Sequence, residues 1–126
     1  MNALPHVLVA EDNELVCEAM RVLFGETGHR VSTAGHIAEI LDVLESDPVD
    51  LLLLDLGLAD GDGFDVLAQM HERGVTARIT VALTGREEPE IIQRCKKAGC
   101  VAVLLKPVPA RDLLRQAREW LAVTPA

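Results

Sequence analysis

Five residues that could do chemistry each stand directly after a short apolar run. Glu11 and Asp12 follow "HVLVA" (6–10), Asp55 follows "LLLL" (51–54), Thr84 follows "ARITVAL" (77–83) and Lys106 follows "VAVLL" (101–105). If the runs lie side by side, three carboxylates meet one ammonium group. Two like charges about 4 Å apart repel by roughly 4 kcal/mol at an effective dielectric near 20. Such a group either raises a carboxylate pKa or holds a cation. Every ligand on offer is an oxygen, which favours a hard ion, Mg2+, able to bind through one or two carboxylates while keeping several waters. An ion of that kind commonly meets phosphate. The Walker pattern is absent and no G-x-G-x-x-G follows a strand, so a nucleotide pocket is unsupported. No serine stands at these ends, and His6, His29, His36 and His71 are read as lying away from them. The remaining nucleophile type is a carboxylate, already ionised and able to form an acyl phosphate without a base. Asp55 is the candidate, because a buried strand end is a costly place for an unpaired charge.

Each residue also has a plainer reading. An aspartate after a strand is usually a turn former, and Asp60 and Asp62 read as turn and cap residues. Thr84 before Gly85 suits a turn, Lys106 suits a surface, and Glu11 and Asp12 could merely favour a helix N-terminus. Coincidence of all four sets on one rim is much less probable than any one alone, and that coincidence decides for a site.

The elements that must position these residues alternate along the chain. "HVLVA" reads as a strand, followed by a helix from Asn13 to about Glu26 with Leu15, Val16, Ala19, Met20 and Leu23 at helical spacing and Gly28 as its stop. "RVSTA" (30–34) alternates like a less buried strand, and Ile37, Ile40, Leu41 and Leu44 form a helical stripe that ends before Pro48. "LLLLD" is a third strand, followed by a helix capped by Asp62 with Phe64, Leu67 and Met70 inward. "ARITVAL" is a fourth strand. A helix from Pro89 follows, with Ile91, Ile92 and Cys95 inward and Gly99 as its stop. "VAVLL" is a fifth strand, and Pro109 opens a last helix through Leu113, Leu114, Ala117 and Leu121. Five βα units with near-continuous apolar strands imply a parallel sheet covered by helices on both faces. Five are too few for an eight-unit barrel, so an open, doubly wound α/β sheet is expected. Ligands of such sheets sit beyond the carboxyl ends of the strands, where these five residues fall. Residues 1–126 read as one domain, and only "VTPA" follows the last helix, so no output domain is expected within them.

Composition narrows the partners. The formal net charge is -8, which disfavours direct contact with nucleic acid and anionic membranes, and two phenylalanines with one tryptophan offer no base-stacking platform. No apolar stretch approaches a membrane span and no signal peptide opens the chain, so a cytoplasmic location is expected. Cys17, Cys95 and Cys100 are odd in number and form no C-x-x-C pair, which suits reduced thiols.

"VLVAEDNE", "LLLLDLGLADGDGFDVL", "ALTG" and "LLKPV", in this order, resemble the four signature segments of the receiver domain of two-component response regulators. The resemblance implies a flavodoxin-like five-stranded sheet of order 2-1-3-4-5 with five helices, placing Asp12 and Asp55 on adjacent strands. It implies that Asp55 accepts a phosphoryl group from a histidine kinase or histidine phosphotransfer protein. It further implies that Asp12, Asp55 and the Gly57 carbonyl bind Mg2+, that Glu11 acts mainly through water, and that Thr84 and Lys106 contact the phosphoryl oxygens. Output would pass to a downstream protein effector by docking on the face of the fourth helix, fifth strand and last helix. Such a chain is a signalling domain with its own phosphorylation and dephosphorylation chemistry rather than an enzyme. Three departures stand out: Glu11 replaces the more common aspartate, Gly57 offers no side chain beside the acceptor, and Val103 stands where the family usually has an aromatic switch residue. Two other readings compete. A phosphate-independent pseudo-receiver would have lost site residues that are all present here. A Mg2+-dependent aspartyl-phosphate phosphohydrolase would carry D-x-D, where this chain has Gly57.

Overall fold

The structure, a computed structural model, describes residues 4–58 and 60–122. In chain order the elements are β1 (His6–Ala10), α1 (Glu14–Gly25), β2 (Arg30–Ala34), α2 (Ile37–Ser46), β3 (Leu51–Asp55), β4 (Gly57–Leu58), β5 (Gly61–Asp62), α3 (Gly63–Arg73), β6 (Ile79–Thr84), α4 (Pro89–Lys97), β7 (Ala102–Leu105) and α5 (Ala110–Ala122). Five strands form one parallel sheet of order β2-β1-β3-β6-β7, which is the expected 2-1-3-4-5 arrangement. The added pair, β4 and β5, is a small antiparallel ribbon that two-residue strands hide from any periodicity argument. The C-terminal "VTPA" lies outside the described residues.

The leucine run is buried on both faces because successive side chains of a strand point to opposite sides. Leu51 and Leu53 join Val7, Val9, Val81, Phe24 and Leu113 in the layer beneath α1 and α5. Leu52 and Leu54 join Leu8, Ile40, Leu41, Val66 and Cys95 in the layer beneath α2, α3 and α4. Burying a leucine side chain contributes about 1.5–3 kcal/mol, so the four leucines anchor β3 firmly, and its last residue is Asp55.

Several boundaries and faces differ from expectation. Leu15 is 84% exposed and Ala19 is exposed as well, whereas Cys17 and Phe24 are the buried residues of α1. The helix starts at its Asn13 cap, whose side chain accepts from the N–H groups of Leu15 and Val16, and this cap turns Leu15 outward. Val66 joins Leu67 and Met70 on the buried face of α3, while Phe64 is half-buried. The strand expected over 77–83 runs from Ile79 to Thr84, so Thr84 is the last residue of β6 rather than the one after it. Val101 precedes β7 and is exposed. Gly28 and Gly99 adopt φ of +88° and +106° in the turns beyond α1 and α4, a region that favours glycine.

Candidate functional site

β1, β3 and β6 end at the same level, and the parallel register carries their last residues to one rim: Ala10 pairs with Leu54, and Asp55 with Leu83. Glu11 follows β1 and is pinned there by its N–H, which donates to the Ala34 carbonyl at 3.0 Å. Lys106 follows β7, and its N–H donates to the Thr84 carbonyl at 2.8 Å. The fold thus brings Glu11, Asp12, Asp55, Thr84 and Lys106 together, as the order of the sequence segments leads one to expect.

Asp55 is only 5% exposed and both its oxygens are engaged. Oδ1 accepts from the Gly57 N–H at 2.9 Å, and Oδ2 accepts from Lys106 Nζ at 2.6 Å. Burial pushes its pKa up, but the Glu11 carboxyl, the Lys106 ammonium and the Gly57 N–H outweigh burial and hold it below the usual aspartate value. Lys106 responds in the opposite sense. Burial would lower its pKa, and the facing carboxylates of Asp55 and Glu11 raise it instead. Asp55 is therefore an ionised carboxylate held in a fixed pose.

Glu11 is in a different state. Burial, and then the neighbouring Asp55 carboxylate, raise its pKa to about 7. Its Oε1 accepts from the Asn13 N–H at 3.2 Å, but Oε2 is buried with no hydrogen-bond partner among the described residues, Lys106 Nζ being 3.6 Å away. A buried oxygen without a partner costs about 1–3 kcal/mol, so it calls for a proton or a cation. Glu11, Asp12 and Asp55 each place an oxygen within 4.8 Å of the others, and Asp12 is exposed and open to solvent. A compact, all-oxygen set with one orphaned oxygen fits a hard divalent cation.

Thr84 is buried, and its hydroxyl oxygen accepts from the Arg86 N–H at 3.0 Å. That leaves its hydroxyl hydrogen free to donate. Asp55, Gly57, Thr84, Arg86 and Phe64 line a cavity of about 330 Å3 beside the carboxylate. Gly57 is exposed, and a Cβ there would meet only Asp55 Oδ1, at 3.8 Å. Val103 is half-buried and packs against the layer beneath α2, α3 and α4.

Some residues of the site escaped the sequence reading. His36, expected to lie away from the strand ends, lines the cleft that also holds Glu11 and Asp12, with its ring 3.9 Å from both Asp60 and Glu39. It sits at this end because β2 runs parallel to β1 and closes on the same rim. Asp60 is more than a turn former, since its carboxylate accepts from the Ile37 N–H and caps α2 from the ribbon. A Cβ at Gly35 would lie 3.3 Å from the Asp12 Cα, and Gly63 sits against the backbone of Asp55 and Leu56. Only the glycines themselves could have signalled these approaches.

Residues 7–118 match the response regulator receiver domain, and the chain belongs to that family. It is 32% identical over 111 residues to the sensory/regulatory protein RpfC of Xanthomonas campestris pv. campestris, covering 86% of this chain and 15% of that protein. It is 28% identical over 109 residues to the transcriptional regulatory protein PdtaR of Mycobacterium tuberculosis, covering 86% of this chain and 52% of that one. A third relative is the sensor histidine kinase RcsC of Salmonella typhimurium, 28% identical over 110 residues, covering 87% of this chain and 11% of the kinase. The chain thus spans about half or less of these relatives. A CheY-like receiver domain protein from Methanospirillum hungatei superposes with a TM-score of 0.84 at 27% identity over 94% of both chains. The non-phosphorylated HemR receiver domain of Leptospira biflexa, at 24% identity, shows the same fold with a TM-score of 0.86 over 97% of this chain and 98% of that one. A receiver domain is a signalling domain of two-component systems, and here it is built on the flavodoxin-like sheet. No described helix is long and apolar enough to cross a membrane.

Proposed function

We propose that this chain is the phospho-accepting receiver of a two-component phosphorelay, and that Asp55 takes its phosphoryl group from a phosphohistidine on a histidine kinase or histidine phosphotransfer protein. The observation that carries this reading is the pose of Asp55: buried and held by Lys106 at 2.6 Å and the Gly57 N–H at 2.9 Å, beside a Glu11 oxygen that has no partner among the described residues. An Asp55 oxygen attacks phosphorus, the P–N bond to the donor imidazole breaks, and the imidazole leaves with the bonding pair and takes up a proton. Lys106 and the Thr84 hydroxyl would donate to phosphoryl oxygens as charge builds there. Asp12, Asp55 and the Gly57 carbonyl would hold Mg2+, with Glu11 acting mainly through water, and the ion would neutralise charge on the phosphoryl group. In hydrolysis water attacks phosphorus, the bond to the Asp55 oxygen breaks, Asp55 departs as a carboxylate, and inorganic phosphate leaves carrying the water's protons. A downstream protein effector would read the phosphorylated state by docking.

Two outcomes follow from this chemistry. Treatment with acetyl phosphate and Mg2+ should add one phosphoryl group to the intact mass, and omitting Mg2+ or substituting Asp55→Ala should remove it. Equal labelling of wild type and Asp55→Ala would show that the acceptor is elsewhere. Mg2+ should also stabilise the unphosphorylated chain by about 2–3 kcal/mol once its concentration is roughly 100 times Kd. Asp12→Ala should lose that gain in thermal unfolding, and an undiminished gain would remove Asp12 from the metal site.

A further inference from the structure

Phe64 stands between two cavities. One is the space beside Asp55, Thr84 and Arg86. The other is a groove of about 380 Å3 between α3 and α4, where Phe64 is joined by Leu67, His71, Arg94 and Lys97. The Arg94 guanidinium lies over the Phe64 ring, 3.9 Å from its centroid, and clasps it from the groove side. The chain's other two rings sit elsewhere, because Phe24 and Trp120 both pack in the layer beneath α1 and α5. Val103 is too short and stiff at χ1 to carry a displacement from the acceptor to the surface. Among the described residues, Phe64 is thus the aromatic side chain that touches both the acceptor cavity and an outer groove.

The groove's charge runs against that of the molecule. The chain carries 20 acidic residues against 12 lysines and arginines. Yet the groove lining contains Arg94, Lys97 and His71 and no carboxylate, over a floor of Leu67 and two alanines. Lys96 adds a further exposed cation to the last turn of α4. An acidic segment would be repelled by most of the surface and attracted here, while its apolar side chains would cover Leu67 and the free edge of Phe64.

We propose that the α3–α4 groove docks an acidic, partly apolar segment of a partner protein, and that Phe64 couples it to the state of Asp55; the coupling half rests on the phosphoryl-acceptor reading above. A partner carboxylate would draw Arg94 off the ring, and Phe64 could then move towards or away from the acceptor cavity. A ligand shifts such a two-state element only by its differential affinity for the two states, so occupancy at Asp55 must change affinity in the groove.

The probe is a synthetic amphipathic helix of Glu, Ala and Leu, titrated into the 15N-labelled chain with and without beryllofluoride and Mg2+, next to the same peptide with Lys for Glu. The acidic peptide should shift residues 64–71 and 94–98, and the lysine peptide should not. Arg94→Glu should weaken binding about tenfold, while Arg115→Glu, the same charge change on α5, should leave it within about twofold. Beryllofluoride should change the peptide Kd at least about threefold in wild type and much less in Phe64→Leu. Equal weakening by both charge reversals, or shifts centred on β7 and α5, would overturn the groove. If beryllofluoride shifts Thr84 and Lys106 but leaves Kd unchanged, the coupling is wrong. If it shifts neither residue, the phosphoryl-acceptor reading fails, and the two charge reversals still decide the groove.

Discussion

The metal-free chain is expected to lose roughly 3 kcal/mol of stability as the pH rises from about 5 to about 8, and Glu11→Gln should abolish most of that loss. The cause is the raised pKa of Glu11, about 7 in the fold against 4.5 for a free side chain, set first by burial and then by the Asp55 carboxylate. Between those values the folded chain binds a proton that the unfolded chain has released, so stability falls with rising pH. The contribution is complete below about 4.5 and gone above about 7. Asp55 has the opposite sign: its lowered pKa stabilises the fold above the ordinary aspartate range and ceases to do so as acid protonates it. Stability without metal should therefore peak on the acid side of neutrality. A neutral glutamine can donate to Asp55 at every pH, which removes the slope. If Mg2+ binds as proposed, it should reverse the preference, because a cation needs Glu11 ionised, and its affinity should rise through pH 7. Chemical denaturation at several pH values checks this, and a wild-type profile as flat as that of Glu11→Gln would contradict it.

A second large effect is expected from one methyl group. Gly63→Ala should destabilise the fold by about 1–3 kcal/mol and slow phosphorylation of Asp55. A Cβ at position 63 would lie 2.6 Å from Leu56 Cδ2, 3.0 Å from the Leu56 Cα and 3.1 Å from the Asp55 carbonyl oxygen. The leucine tip can swing away, but the other two atoms are the backbone that presents Asp55. The Gly63 N–H also donates to the Leu56 carbonyl at 2.9 Å, so helix α3 cannot simply retreat. Gly57→Ala is the matched control, because its Cβ would have ordinary contact at 3.8 Å and its φ is not in the positive region. That change should stay within about 0.5 kcal/mol. Urea unfolding of both variants separates them, and a harmless Gly63→Ala would show that the loop behind Asp55 yields easily.

The same pair of glycines marks where the sequence was legible and where it was not. The sheet, its parallel sense and the rim of Glu11, Asp12, Asp55, Thr84 and Lys106 followed from apolar runs ending in polar residues, because strands of a doubly wound sheet all deliver their ends to one side. Strand order came only with the family resemblance, since apolar periodicity carries no information about which strand lies next to which. Leu15 was misplaced because spacing alone cannot set the phase of a helix, and the Asn13 cap sets it differently. The β4–β5 ribbon, the Asp60 cap on α2 and the approach of Gly63 to Asp55 join residues through two-residue strands and backbone contacts. Those contacts leave no periodic trace. Crowding of carboxylates implies either a raised pKa or a bound cation, but which carboxylate gives way depends on Lys106 reaching Asp55 at 2.6 Å and Glu11 at 3.6 Å.

Locating the phosphoryl group is the most direct trial of Asp55 as acceptor. An acyl phosphate is reduced by borohydride to an alcohol, so the modified aspartate becomes homoserine, which tandem mass spectrometry can place in a peptide. After acetyl phosphate and Mg2+, homoserine should be found at position 55 and at none of Asp12, Asp60 or Asp62, the aspartates of the rim and of the ribbon after β3. Homoserine at one of those positions, or labelled chain with an unaltered Asp55, would contradict the assignment.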